Sequence, residues 1–266
     1  MDVYGIDGKT LRSIEMPGVF SGEYREDLVR RALLSEQSAA RQPQGHFTRA
    51  GFQTTAVYVG KYSAAYRRGR HMGIAIRPRQ KLGGGAQGDV RRIPSAVKGH
   101  RAHPHKIEKT IEEQINRKEY AAAIRAAIAG SADPALVGAR HSFVQKQLPI
   151  VVADGIESVS KSKELIKALA SIGLANDLER SHSPRLRRGL KRLSRVRHFR
   201  TSVLIVSRQA GAISRAGRNI PGVDVCTIDD LTVGKLAPGA KPRLAVWTEG
   251  AIGAVEARLA KGYNRR

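Results

Sequence analysis

The excess positive charge of this 266-residue chain is confined to two segments. Residues 37–107 carry 14 Lys/Arg against one acid, Asp89, and residues 180–223 carry 12 Lys/Arg and no acid. The other 151 residues hold 21 basic and 22 acidic side chains, so the net +24 divides into +13, +12 and −1. Burying an unpaired cation is prohibitively costly. The near-neutral remainder is therefore expected to be an ordinary folded domain carrying two cationic extensions. No carboxylate occurs across 37–88 or 180–223. Stretches without counter-charge repel themselves and stay extended until an external anion meets them.

The remainder has the pattern of an α/β fold. Val3-Tyr4-Gly5-Ile6, a turn at Asp7-Gly8 and a second run over 10–16 read as two short strands. Ser21 is placed to cap a helix over 22–41, with Tyr24, Leu28, Val29, Ala32 and Leu33 inward and Glu23, Glu26 and Asp27 near its positive end. Ile107, Ile111 and Ile115 recur every fourth residue, so regular structure is expected to resume at Lys106. Asn116 with Glu119 forms a capping box for a helix through Ala121, Ile124 and Ile128, closed by Gly130. A buried strand over 148–153 precedes a helix over 161–172 with Leu165, Ile166, Leu169 and Ile172 on one face. Strands over 203–207, 223–228 and 243–248 follow, and Thr248 caps a final helix with Ile252, Val255 and Leu259 inward. Short apolar strands alternating with amphipathic helices predict a mostly parallel sheet covered on both faces, a Rossmann-like three-layer core. The body is expected to be 1–42 with 106–266, and 43–105 a long extended basic loop inserted into it.

That insertion has ten glycines and four prolines and sustains neither helical nor strand periodicity. A stretch this long without regular structure points to function or disorder. Gly83-Gly84-Gly85 with Gly88 lacks the strand, the helix and the Lys-Ser/Thr pair of a phosphate-binding loop; Asp89-Val90-Arg91-Arg92 follows instead. His100, His103 and His105 lie among Lys98, Arg101 and Lys106 without nearby Cys or carboxylate, so contact with RNA is favoured over a metal. Asp229-Asp230 and Glu112-Glu113 read as a turn and a solvated face, and Ser207 and Cys226 lack a visible His/Asp framework. Neither an active site, a metal nor a cofactor is expected. One cysteine, no long apolar run and a start unlike a signal peptide favour the cytoplasm and no membrane.

The expected partner is folded RNA. Arg predominates in the first segment, and its planar fork suits phosphates and bases. The 5% aromatic content favours phosphate contact over base stacking. The Gly/Pro-rich backbone resembles neither helix nor ribbon for reading a DNA groove. The candidate contacts in the first segment are Arg41, Arg49, Lys61, Arg67, Arg68, Arg70, Arg77, Arg79, Lys81, Arg91, Arg92, Lys98, His100, Arg101, His103 and Lys106. Those in the second are Arg185, Arg187, Arg188, Lys191, Arg192, Arg195, Arg197 and Arg200, where the apolar Leu190 and Leu193 allow a short helix.

Separated stretches resemble one family in order along the chain. Ala50-Gly51-Phe52-Gln53-Thr54-Thr55-Ala56 is similar to its AG-x-[QR]-T-x-A loop entry. Gly69-Arg70 with Ile74-Ala75-Ile76-Arg77-Pro78-Arg79 resembles its GR-x-x-A-x-[IV]-P-[RK] segment. Arg91-Arg92-Ile93-Pro94-Ser95-Ala96-Val97-Lys98-Gly99-His100-Arg101-Ala102-His103-Pro104 resembles the archaeal loop exit. Arg218-Asn219-Ile220-Pro221-Gly222-Val223-Asp224-Val225 and Leu244-Ala245-Val246-Trp247-Thr248-Glu249 resemble its C-terminal half. This is the universal large-subunit ribosomal protein L-four family in its archaeal–eukaryotic form. The chain departs from it where Lys61 to Arg68 stand in place of a Ser-Ala-Glu-containing stretch.

The resemblance implies an α/β domain on the large ribosomal subunit and a loop threading the ribosomal RNA. The loop tip would line part of the nascent-peptide exit tunnel, with Arg67, Arg68, Gly69, Arg70, His71, Met72 and Gly73 facing it. Partners would be large-subunit ribosomal RNA, neighbouring ribosomal proteins and the nascent peptide. Two rivals stand beside this reading. A free RNA chaperone or messenger repressor would share the charge pattern. An RNA-modifying enzyme would need a cofactor pocket at the C-terminal ends of the strands.

Overall fold

The computed structural model describes residues 1–58, 74–143, 147–186, 197–209 and 211–260. They divide into two compact units, Met1–Ala40 with Glu112–Arg266, and Arg41–Ile111.

In the first unit six strands form one sheet. They are β1 (Asp2–Tyr4), β2 (Thr10–Ser13), β6 (Ile150–Val152), β9 (Leu204–Ser207), β10 (Asp224–Thr227) and β11 (Ala245–Thr248), in the order β10-β9-β11-β6-β1-β2. All pairings are parallel except the β1–β2 hairpin at one edge. The expected mostly parallel α/β sheet is therefore present, with its own strand order.

Parity along the strands sorts the core into two layers. Val151, Leu204, Val206, Ala245 and Trp247 face one cluster, which α1 (Glu26–Ala39), α2 (Arg117–Ala132), α7 (Val233–Leu236) and α8 (Glu249–Ala260) cover. Ile150, Val152, Ile205 and Val246 face the other, under α3 (Pro134–Gly138), α4 (Ser162–Leu169) and α6 (Gly211–Gly217). Alternate side chains of a strand point to opposite faces, and burial on both faces explains why these strands are apolar throughout. In the first cluster the Phe20 ring meets Trp247 edge-on at 5.3 Å.

Several boundaries differ from the expected ones, each for a local reason. Ser21 ends a short turn, Gly18–Ser21, whose Phe20 is buried; extended Gly22 then separates it from α1, which starts after Arg25. Val29, Ala32 and Leu33 are buried as expected. The isoleucine repeat at 107–115 does not make a helix. Side chains of α1 take over the backbone of that strip: Ser35 Oγ donates to Glu113 O (2.6 Å), and Glu113 N donates to Ser38 Oγ (2.9 Å). The Asn116/Glu119 capping box does start α2, but Gly130 lies inside the helix. A Cβ at Gly130 would fall 2.5 Å from Tyr24 Cδ2 and 2.9 Å from Pro242 Cγ, so this glycine serves close approach rather than termination. The helix expected over 161–172 continues through a wide turn, Ala170–Leu174, into α5 (Ala175–His182), and Ile166 is exposed while Leu165, Leu169 and Ile172 are buried. Thr248 caps α8 as expected, its Oγ1 accepting from Ala251 N at 3.3 Å.

The second unit carries regular structure that periodicity did not reveal. Strands β3 (Val57–Tyr58), β4 (Pro78–Lys81) and β5 (Gln87–Val90) pair antiparallel. They are too short to sustain an alternation. Gly83–Gly85 forms the turn between β4 and β5, with Gly84 at φ +70, and Leu82 N donates to Ala86 O across it (3.1 Å). Among the described residues no helix is long and apolar enough to cross a membrane.

Candidate nucleic-acid interface

Among the described residues, the second unit displays most of its cations without partners of opposite charge. Arg41, Arg49, Arg77, Lys81, Arg92, Lys98, Arg101, His103 and Lys106 are exposed, and Arg79 and His100 are half-buried. Arg91 differs: its side chain is only 17% exposed and bridges Asp89 (3.1 Å) and Val97 O (2.8 Å). The segment's one acid is thus engaged by a structural arginine that organises the turn after β5. Arg77 reaches Ser95 Oγ at 3.3 Å. Lys61, Arg67, Arg68, Gly69, Arg70, His71, Met72 and Gly73 lie outside the described residues.

A node of fixed geometry brings together two distant stretches of this unit. The Phe52 ring stacks on His100 at 4.5 Å and 20°, and the Arg92 guanidinium lies 5.9 Å from the Phe52 centroid. His100 Nδ1 is hydrogen-bonded to the Arg92 carbonyl. Gly51 has φ +81, and a Cβ there would fall 2.4 Å from His100 N; one on Gly99 would fall 1.8 Å from Ile93 O. The backbones can approach this closely only where both residues are glycine. His103 and His105 are exposed and not part of the node.

In the second basic segment, β7 (Arg185–Leu186) and β8 (Arg197–His198) pair antiparallel, and the short helix that Leu190 and Leu193 allow lies outside the described residues. Arg200 is exposed. Arg187, Arg188, Lys191, Arg192 and Arg195 lie outside the described residues.

At the root of that segment is a buried ionic cluster that sequence reasoning missed. The Asp177 carboxylate, fully buried, accepts from Arg180 Nε (2.9 Å), Ser202 Oγ (2.5 Å), Ser142 N (3.1 Å) and His141 Nδ1 (3.2 Å). Arg180 also donates to Thr201 O at 2.7 Å. Burial opposes ionisation of Asp177, but hydrogen bonds from His141, Arg180 and Ser202 outweigh it and hold the carboxyl well below its usual range. Burial lowers the His141 pKa, against the pull of Asp177. Arg180 therefore has an internal counter-charge, contrary to the reading of 180–223 as wholly uncompensated. Nearby, Arg243 is 1% exposed and pairs with Asp224 and the Gly222 carbonyl.

The strand ends bear on the enzyme reading. In open α/β sheets, anionic cofactors sit beyond the C-terminal ends of parallel strands, on helix and loop N–H groups. Here the chain's own carboxylates take those N–H groups. Glu157 accepts from Arg208 N (2.8 Å), Gln209 N (3.2 Å) and Thr248 Oγ1 (2.8 Å), just after β9 and at the end of β11. Asp154 accepts from Gly250 N (2.8 Å) at the start of α8. Cys226 is buried, which pushes its thiol up to about 11, and Ser207 Oγ donates to Cys226 O. Neither is set up as a nucleophile.

An α/β unit whose anion positions hold its own carboxylates, joined in one chain to a unit of exposed arginines, has the chemistry of a binding protein. The chain belongs to the Ribosomal protein L4/L1 family, whose model matches residues 14–258. It is 37% identical to "Large ribosomal subunit protein uL4" of Methanocaldococcus jannaschii over 262 residues, 97% of this chain and 98% of that one. It is 39% identical to the protein of that name from Methanococcus maripaludis over 262 residues, again 97% and 98%. The uL4 of Methanoregula boonei matches at 40% over 256 residues, 95% of this chain and 97% of that one. The resemblance drawn from the separated motifs is borne out: this is a ribosomal protein of archaeal type, not an enzyme.

Proposed function

We propose that this chain is a structural constituent of the large ribosomal subunit, acting in the cytoplasm, and that it binds ribosomal RNA by neutralising phosphates. The observation that carries this is the set of exposed cations in Arg41–Ile111, where the two acids are Asp89, paired with Arg91, and Glu108. The uL4 name of relatives matching nearly the whole length of the chain supports it. On this reading 1–42 with 106–266 is the body, and 43–105 is the loop that enters the RNA. Residues 67–73 line the exit tunnel beside the nascent peptide, and neighbouring ribosomal proteins border the body.

Binding of the full chain to large-subunit ribosomal RNA is expected to weaken steeply with salt. The log–log slope should be roughly −0.7 to −0.9 per phosphate contact, and Arg101→Gln should make it shallower by about one contact. A flat salt response, or an unchanged slope across several such variants, overturns phosphate neutralisation. Gradient sedimentation of extract after a high-salt wash tests the ribosomal placement: a chaperone leaves the large subunit, whereas a constituent stays with it.

A further inference from the structure

The phenylalanines are distributed in a way that core packing does not explain. Phe20 is buried and Phe143 half-buried, both in the near-neutral body. Phe47, Phe52 and Phe199 are 57%, 43% and 47% exposed, and all three lie in the two basic segments. Of these, Phe52 is held in place. It stacks on His100, faces the Arg92 guanidinium, and sits on a backbone clamped by Gly51 and Gly99.

Strain is concentrated at the same point. Among the described residues three non-glycine residues have positive φ, and two of them, Arg92 (+71) and Lys98 (+59), flank this stack. Both are exposed cations. Non-glycine residues held in this region recur at ligand clamps and other functional sites. An exposed ring stacked on an imidazole, with a guanidinium 5.9 Å from its centroid and Lys98 two residues before His100 in the chain, matches what a single-stranded nucleotide offers: a flat base and an attached phosphate.

We propose that the Phe52–His100 stack is a preformed platform for one unpaired RNA base, which extends the stack, while Arg92 and Lys98 hold the adjoining phosphate. This rests on the RNA-binding reading and deepens it by assigning stacking, not only charge, to a defined place. Charge alone does not distinguish paired from unpaired RNA. The platform does, because a base inside a duplex has no free face to offer.

The test compares the full chain's affinity for a stem–loop RNA with that for a blunt duplex of the same stem, each across a salt series. Wild type should prefer the stem–loop. Phe52→Leu should reduce stem–loop affinity roughly 10-fold, the size of one lost base–aromatic stack. It should leave duplex affinity and both salt slopes unchanged, and Phe52→Tyr, which keeps the ring, should retain the preference. The platform is overturned if Phe52→Leu keeps the loop preference, or if Leu and Tyr lose it equally. If wild type binds neither RNA in a salt-dependent way, the RNA-binding reading itself fails, a different result from a lost loop preference with binding intact.

Discussion

Asp177 and Phe52 show what individual residues settle in this protein. Asp177 is one carboxylate among many in the sequence, yet it is fully buried and ties Arg180, His141 and Ser202 together at the root of the second basic segment. Asp177→Asn leaves Arg180, itself only 17% exposed, without its counter-charge. It should destabilise the first unit by about 3–5 kcal/mol, the usual size for breaking a buried pair, as read from urea unfolding midpoints. The pH dependence has a definite sign. The folded state holds His141 below the ordinary imidazole pKa, so below about pH 6.5 the unfolded chain binds the extra proton and stability falls as acid is added. Asp177 adds a second loss below about pH 4, as pH falls through and beyond the ordinary carboxylate range. His141→Gln should flatten the first limb and leave the second. A curve that is unchanged between pH 6.5 and 5 would remove His141 from this account. None of this was legible in the sequence, because the partners of Asp177 come from three separate stretches of chain.

Elements were read well where their signal was local. The capping box of α2 and the Thr248 cap of α8 each lie within four consecutive residues, and both are found as expected. The signals that misled were those whose meaning depends on a packing partner. Gly130 has the look of a helix stop, but it is the point where α2 lies against Tyr24 and Pro242. Gly130→Ala should therefore destabilise by about 1–3 kcal/mol through overpacking, although alanine is the better helix former. A rise in melting temperature on that substitution would contradict the packing role. The isoleucines at 107–115 have helical spacing, but Ser35 and Ser38 draw the backbone at Glu113 into a different set of hydrogen bonds. Strands of two to four residues in β3, β4 and β5 were invisible because no period can be read from so few positions.

At the scale of the whole molecule, the first unit closes around the point where the chain leaves and returns. Ser35 and Ser38 of α1 hold Glu113, so both ends of the gap are fastened within one unit. Replacing Arg41–Ile111 with a short Gly/Ser linker should leave the first unit's melting cooperative and its midpoint within a few degrees, while RNA affinity and salt slope fall sharply. Non-cooperative melting of that variant would show that the two units are not separable in folding. The sequence by itself determined the partition of charge, the alternation of strands and helices, and the family, since these are sums and patterns along the chain. The tertiary structure alone decided which cations remain exposed and which are neutralised from within, as Arg91 and Arg180 are. It alone brought Phe52 onto His100 and placed Glu157 and Asp154 on the N–H groups at the strand ends. The reason is physical: charge is carried by each residue wherever it stands, but pairing, stacking and burial exist only between residues that folding makes neighbours.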